Sequence, residues 1–249
     1  MVQLELLVDL HVRNRRQGPG ADEETIRALE LARIPRNRNL TVADIGCGTG
    51  ASSLVLAREL EVDVLAVDLF PRFLTELESR ASAAGLCGRI STLAASMDAL
   101  PFETEQWDVI WSEGAIYNLG FERGINMMRS FLKQGGILAL SEITWLTQNR
   151  PEEIAEHWVQ EYPEIATSAQ KMAQLERAGY TPLGYFVLPP SCWIKNYYEP
   201  LEASHEAFLK DHHHSRAAQA VVDEGRREFE LYRRYANFFS YGFYIAKRL

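Results

Sequence analysis

The chain has 249 residues, 47% of them apolar, which is enough for one large α/β domain with a core that needs no disulfide staples. Its net charge of −8 argues against a general nucleic-acid binder, whose footprint would be basic; Arg13, Arg15 and Arg16 are the nearest thing to a patch. Three widely spaced cysteines (Cys47, Cys87, Cys192), no basic leader before the opening residues and no apolar run of membrane length together predict a cytoplasmic protein with no membrane partner.

In chain order, residues 1–40 read as a helical lead-in. Leu4, Leu7, Val8 and His11 share a helical face, Arg16-Gln17-Gly18-Pro19-Gly20 breaks the pattern, and Glu23 to Ile34 resumes it before Pro35. From Thr41 the chain alternates. Strands are predicted at 41–46, 62–68, 90–95, 107–112 and 136–144, with helices at 51–60, 71–85 and 121–133. The strands are near-continuous apolar runs, as expected when helices cover both faces of a parallel sheet. Gly135-Gly136 reads as the helix stop before the fifth strand.

Two more helices are predicted, from Pro151 to about Tyr162 and from about Ser168 to Ala178. A sixth strand follows at 180–188 and a last one ends the chain. Between these strands, Ala218, Val221, Val222, Phe229, Tyr232 and Ala236 keep a three/four spacing, so 190–237 reads as a helical insertion in a single domain spanning 1–249. Its parts are the lead-in, a core at 41–189, the insertion, and a final strand within 238–249.

The stretch richest in chemistry is Val42-Ala43-Asp44-Ile45-Gly46-Cys47-Gly48-Thr49-Gly50. A buried strand ends, glycines at alternate positions let the backbone turn and approach a ligand, and a helix N-terminus follows. Gly46-x-Gly48-x-x-Ala51 also satisfies the dinucleotide fingerprint, with Asp68 placed to accept ribose hydroxyls. Asp44 discriminates: a carboxylate there opposes a pyrophosphate and suits a cofactor carrying an ammonium and a sulfonium.

These residues resemble the class I S-adenosylmethionine-dependent methyltransferases. Ala43 to Gly50 looks like that family's first motif, Val67-Asp68-Leu69 the second, and Ser96-Met97-Asp98-Ala99-Leu100-Pro101-Phe102 the adenine-binding segment. Trp107 to Glu113 looks like the fourth strand, whose tip faces the cofactor's methionine part, and Leu132 to Leu138 like the lead into the fifth. Further likeness, in Arg16 to Gly20, Trp111 to Asn118 and the run at 192–200, is to the type 11-like small-molecule subgroup. The resemblance implies a doubly wound, Rossmann-like, seven-stranded, mostly parallel sheet with an antiparallel last strand. It implies S-adenosyl-L-methionine as cofactor, held by Asp44, Gly46, Gly48, Gly50, Asp68, Leu69, Met97, Asp98 and Ser112, with no metal.

Glu113 and Tyr117 follow the fourth strand and are the candidate catalytic residues, as base or orienting group; His157 is a third candidate base. Each has a plainer reading as a turn cap or packing group. Trp193, Tyr197, Tyr198 and His205 read as a cap, an interface or an aromatic lid, and His212-His213-His214 as a solvated turn, since adjacent helical residues face different ways. The expected chemistry is methyl transfer to a small molecule, chiefly by alignment, which supplies roughly 7–11 kcal/mol. The alternatives are an NAD(P)-dependent oxidoreductase and a non-catalytic cofactor-binding module. A symmetric homodimer is the default assembly.

Overall fold

A computed structural model describes residues 2–35 and 39–249; Met1 and residues 36–38 of the expected lead-in lie outside the described residues. In chain order the elements are α1 (Val2–His11), α2 (Asp22–Ala32), β1 (Val42–Ile45), α3 (Ala51–Leu60), β2 (Val64–Asp68), α4 (Pro71–Ala83), β3 (Ile90–Ala94) and β4 (Trp107–Glu113). A short 3-10 turn (Ile116–Asn118) leads to α5 (Phe121–Phe131), β5 (Leu132–Trp145), α6 (Glu152–Glu161), β6 (Ala166–Thr167), α7 (Ser168–Arg177) and β7 (Tyr180–Val187). Then come α8 (Pro190–Trp193), a π-helical turn (Ile194–Tyr198), α9 (Glu199–Asp211), α10 (Arg216–Tyr235) and β8 (Phe239–Arg248).

The sheet runs β3-β2-β1-β4-β5-β8-β7. Strands β1 to β5 are mutually parallel, while β8 is antiparallel to both β5 and β7 between which it lies. The expected sheet is present, with the two-residue β6 added beside the end of β5. The antiparallel wedge at β8 also sets this sheet apart from the all-parallel order expected of a dinucleotide-binding oxidoreductase.

Alternation along the strands sends residues to two cores. Val42, Val109 and Trp111 enter the larger one, shared with α2, α3 and α8 to α10; Ala43, Ile45 and Ile110 enter the smaller one, against α5 and α7. The insertion between β7 and β8 belongs to the larger core. Trp193 stacks on Tyr232 at 4.5 Å and donates its indole N–H to Ser240 Oγ at 2.9 Å, and Tyr198 stacks on Phe229 at 4.6 Å. Trp193 and Tyr198 therefore pack the cap onto β8 rather than hang free as a lid.

Two local expectations are corrected. The glycine pair does not stop α5, which already ends at Phe131; Leu132 is extended, and β5 starts there. Gly135, with φ of 75°, sits where the pairing slips from Trp107–Leu132 to Val109–Ile137. The pair marks a bulge, one of glycine's regular places in strands. Asp108, given no role in the sequence, clasps the sheet's base: it accepts from Thr41 N and from Lys133 Nζ, at 2.9 and 2.8 Å.

Candidate cofactor and acceptor site

At the carboxyl ends of β1, β2 and β4 lies a cavity of about 460 Å³. This is where doubly wound sheets bind ligands. The glycine loop forms its floor. Gly46, Gly48 and Gly50 all have positive φ (73°, 55° and 83°), and a Cβ at Gly46 would lie 2.3 Å from Ala115 Cβ. At Gly50 it would meet Leu77 Cδ1 at 1.9 Å. Only a residue without a side chain fits. Gly46, Gly48, Asp68, Leu69, Met97, Asp98, Glu113 and Tyr117 line the cavity, whereas Asp44, Gly50 and Ser112 stand behind its surface.

Asp68 ends β2 and is held by the backbone itself: Gly48 N donates to Oδ2 at 2.8 Å and Phe70 N to Oδ1 at 2.9 Å. Each oxygen keeps acceptor capacity toward the cavity, which suits a vicinal diol. Burial raises its pKa, opposed by those two amides. Leu69, next along, is 54% exposed and offers the cavity a bare apolar face.

Asp44 does not face the cavity directly, as the sequence had suggested. It is wholly buried on the α3 side of β1, where its Oδ2 accepts from the Ser52 and Ser53 hydroxyls, both at 2.6 Å. Its Oδ1 has no partner. Burial raises its carboxyl to about 7 despite those two hydroxyls. Ser52 does line the cavity, so the charge stands one hydroxyl behind the surface. Ser112 donates to Ile45 O at 2.9 Å and ties the tips of β4 and β1 together.

Glu113 is fully engaged. Its Oε2 accepts from Arg16 at 2.9 Å, and its Oε1 from Thr25 Oγ1 at 2.6 Å and Trp111 Nε1 at 2.9 Å. A carboxylate so tied is poorly placed to take a further proton, and its evident work is to anchor the segment between α1 and α2. Gln17 Oε1 in that segment accepts from Thr49 N at 2.8 Å, while Arg80 donates to Asn14 O, Arg15 O and Thr49 Oγ1. Sequence reasoning missed Gln17, Arg16 and Arg80. The signal available was a polar pair set immediately before Gly18-Pro19-Gly20.

Tyr117, on the 3-10 turn, is 42% exposed, and its ring meets Tyr162 edge-on at 6.2 Å. Surrounding protein nevertheless raises its pKa, so its hydroxyl is a hydrogen-bonding group rather than a base at neutral pH. His157 lies on α6 against Trp158 and does not line the cavity. His205 is buried, with neither ring nitrogen partnered. His212 Nε2 donates to Asp9 Oδ2 at 3.0 Å, and His213 and His214 are exposed in a turn. No metal-holding group of side chains occurs among the described residues, and no helix among them is long and apolar enough to cross a membrane.

The residues present fit S-adenosylmethionine on their own chemistry: a glycine cradle, a diol acceptor at Asp68, and a buried acid with one unpartnered oxygen. Comparison with known proteins agrees. Residues 42–136 match the family described as a methyltransferase domain. The malonyl-(acyl-carrier protein) O-methyltransferase of Enterobacter lignolyticus is 28% identical over 129 residues, covering 51% of this chain and 47% of that protein. The sarcosine/dimethylglycine N-methyltransferase of Aphanothece halophytica is 30% identical over 118 residues, 46% of this chain and 42% of that one. The chain thus spans under half the length of these curated relatives. A solved S-adenosylmethionine-dependent methyltransferase of Geobacter sulfurreducens, in complex with S-adenosylhomocysteine, superposes with a TM-score of 0.84 at 17% identity, over 97% of this chain and 98% of its own. The match to a methyltransferase domain at residues 42–136 thus falls on the half of the sheet that carries the cavity, and the chain as a whole shares the fold of solved S-adenosylmethionine-dependent methyltransferases.

Proposed function

We propose that the protein binds S-adenosyl-L-methionine and transfers its methyl group to a small-molecule acceptor, and that residues 1–249 act as one domain. The observation that carries this reading is the single cavity in which the glycine loop, Asp68, Leu69, Met97 and Asp98 meet Tyr117. Asp68 takes the ribose hydroxyls, Leu69 and Met97 cover the adenine, and Asp98 receives its edge. Gly46 to Gly48 admit the methionine end, whose ammonium is favoured by Asp44 acting through Ser52.

When bound, the cofactor supplies a methyl already activated on a sulfonium sulfur. The protein's task is then to bring an acceptor into line and keep water out, and proximity of this kind is worth roughly 7–11 kcal/mol. Tyr117 orients the acceptor with its hydroxyl. Glu113 is a positioning residue that holds the Arg16–Gly20 segment across the cavity, so no side chain here is assigned as a general base.

The decisive experiment pairs calorimetry with S-adenosylhomocysteine and turnover of methyl-labelled S-adenosylmethionine on a panel of small acceptors. Asp68→Ala should weaken S-adenosylhomocysteine by about tenfold or more, as two charge-assisted hydrogen bonds are lost. Near-wild-type affinity would sink the ribose assignment. Binding without turnover on any acceptor would favour the non-catalytic module instead.

A further inference from the structure

The floor of the cavity is a loop whose hydrogen-bond donors are already spent. Gly46 N and Cys47 N donate to Val67 O at 2.8 and 3.0 Å, and Gly50 N donates to Cys47 O at 2.9 Å. Gly48 N donates to Asp68 Oδ2 and Thr49 N to Gln17 Oε1, each at 2.8 Å. All but the last of these amides are satisfied within the loop or by β2 beside it. Thr49 alone depends on a residue from the segment between α1 and α2, 32 positions earlier in the chain.

Gln17 stands directly against the middle glycine: a Cβ at Gly48 would lie 2.2 Å from Gln17 Oε1. In the dinucleotide fingerprint that the sequence also satisfies, this second glycine is where the backbone lets a pyrophosphate approach. Here a side-chain amide of the same chain has approached instead. Its orientation is not free. Nε2 donates to His11 O and Asn14 O, both at 3.1 Å, and a flipped amide would set its oxygen against those two carbonyls. Arg80 holds the same stretch from α4, donating to Asn14 O at 2.9 Å and to Arg15 O at 2.8 Å. Gln17 also lines the cavity, so the part of the loop it covers is the part a ligand would meet.

The consequence is one of charge and donor supply. Amides of a glycine loop at a helix N-terminus attract anions when they are free. With its N–H turned to the neutral Gln17 oxygen, Thr49 has no amide donor left for a phosphate. Asp44 and Asp68 stand behind and beside the loop, and Arg16, which also lines the cavity, is engaged by Glu113 at 2.9 Å and Asp22 at 3.1 Å. An ammonium loses nothing by this arrangement, because it brings its own donors and needs only acceptors.

We propose that Gln17 determines the class of cofactor: it takes the place of a dinucleotide's pyrophosphate and keeps phosphate-bearing nucleotides off the glycine loop. This rests on the cofactor reading above and concerns selection at the same site. The test titrates adenosine and ADP into wild type, Gln17→Ala and Gln17→Glu at pH 6, where the Asp44 carboxyl, held at about 7, is mostly uncharged. In wild type, ADP should bind no more tightly than adenosine. Gln17→Ala frees the Thr49 N–H, and ADP should then bind about tenfold or more tightly than adenosine, through a charge-assisted hydrogen bond. Gln17→Glu keeps an acceptor for Thr49 N but loses both donors to the segment, so it loosens the segment without admitting a phosphate, and ADP should gain nothing. A clear wild-type preference for ADP, no gain in Gln17→Ala, or an equal gain in Gln17→Glu each overturns the assignment of Gln17. The wild-type comparison decides by itself if a variant does not fold. Failure of the wild-type protein to bind S-adenosylhomocysteine would instead overturn the cofactor reading.

Discussion

Asp44 offers the sharpest quantitative test, because its protonation and its proposed task are opposed. Without ligand, burial holds its carboxyl at about 7. Arg16 and Glu113, the charges nearest to it, are paired with each other and largely cancel. Roughly one-tenth of molecules carry the charge at pH 6 and roughly nine-tenths at pH 8. If the cofactor's ammonium selects the ionised form, S-adenosylhomocysteine should bind about tenfold more weakly at pH 6 than at pH 8, a difference near 1.4 kcal/mol. Binding at pH 6 should release close to one proton.

Calorimetry in buffers of different ionisation enthalpy measures both the affinity and the proton count. Asp44→Asn is the right control. Its amide oxygen still accepts from Ser52 and Ser53, so folding should survive while the titration disappears. The variant should bind weakly at every pH, with a flat profile. A wild-type affinity that does not change between pH 6 and 8, or a slope that persists in Asp44→Asn, would refute the reasoning.

Other outcomes follow from the same geometry. Because Asp44 has a folded pKa above its unfolded value, ligand-free protein should lose stability as pH rises from about 4 to about 7, by up to about 1.4 kcal/mol per unit from this group. Thermal melts of wild type and Asp44→Asn across that window should diverge accordingly. Lys171→Met strands the buried Glu142 carboxylate, whose Oε2 already lacks a partner, and should cost about 3–5 kcal/mol in urea unfolding. Adding Glu142→Leu should recover much of that loss, and additive losses would contradict it. Glu113→Gln should weaken cofactor binding by loosening Arg16 while kcat changes little; a kcat fall of about 100-fold or more at unchanged affinity would restore Glu113 as a base.

The sheet was readable from the sequence because its determinants are local. Apolar runs such as Val64 to Val67 and the glycines at 46, 48 and 50 announce strand, turn and helix within a few residues of one another. Site residues that depend on remote partners were not readable in the same way. Glu113 looked like a free acid beside a strand tip, and its occupation by Arg16 comes from 97 residues away. Asp44 was visible as an acid near a loop, but its orientation toward α3 follows from strand alternation and the two serines opposite. Glu228 gave no signal at all, since a glutamate among Arg226, Arg227 and Glu230 reads as a solvated helix face. Only the structure shows that this exposed carboxylate accepts from Tyr198, which the π-helical turn brings to it.

The wedge formed by β8 has a consequence for how the molecule is assembled. Strand β5 pairs with β8 along nine residue positions, from Ile137 to Trp145, and β7 reaches the sheet only through β8. Until β8 has been made and inserted, β5 presents an open apolar edge and β7 has no neighbour to join. During synthesis the cofactor loop can form early, yet the half of the sheet beneath the cap must wait. Chains shortened before Phe239 should therefore expose two unpaired edges at once and self-associate rather than yield a smaller working protein.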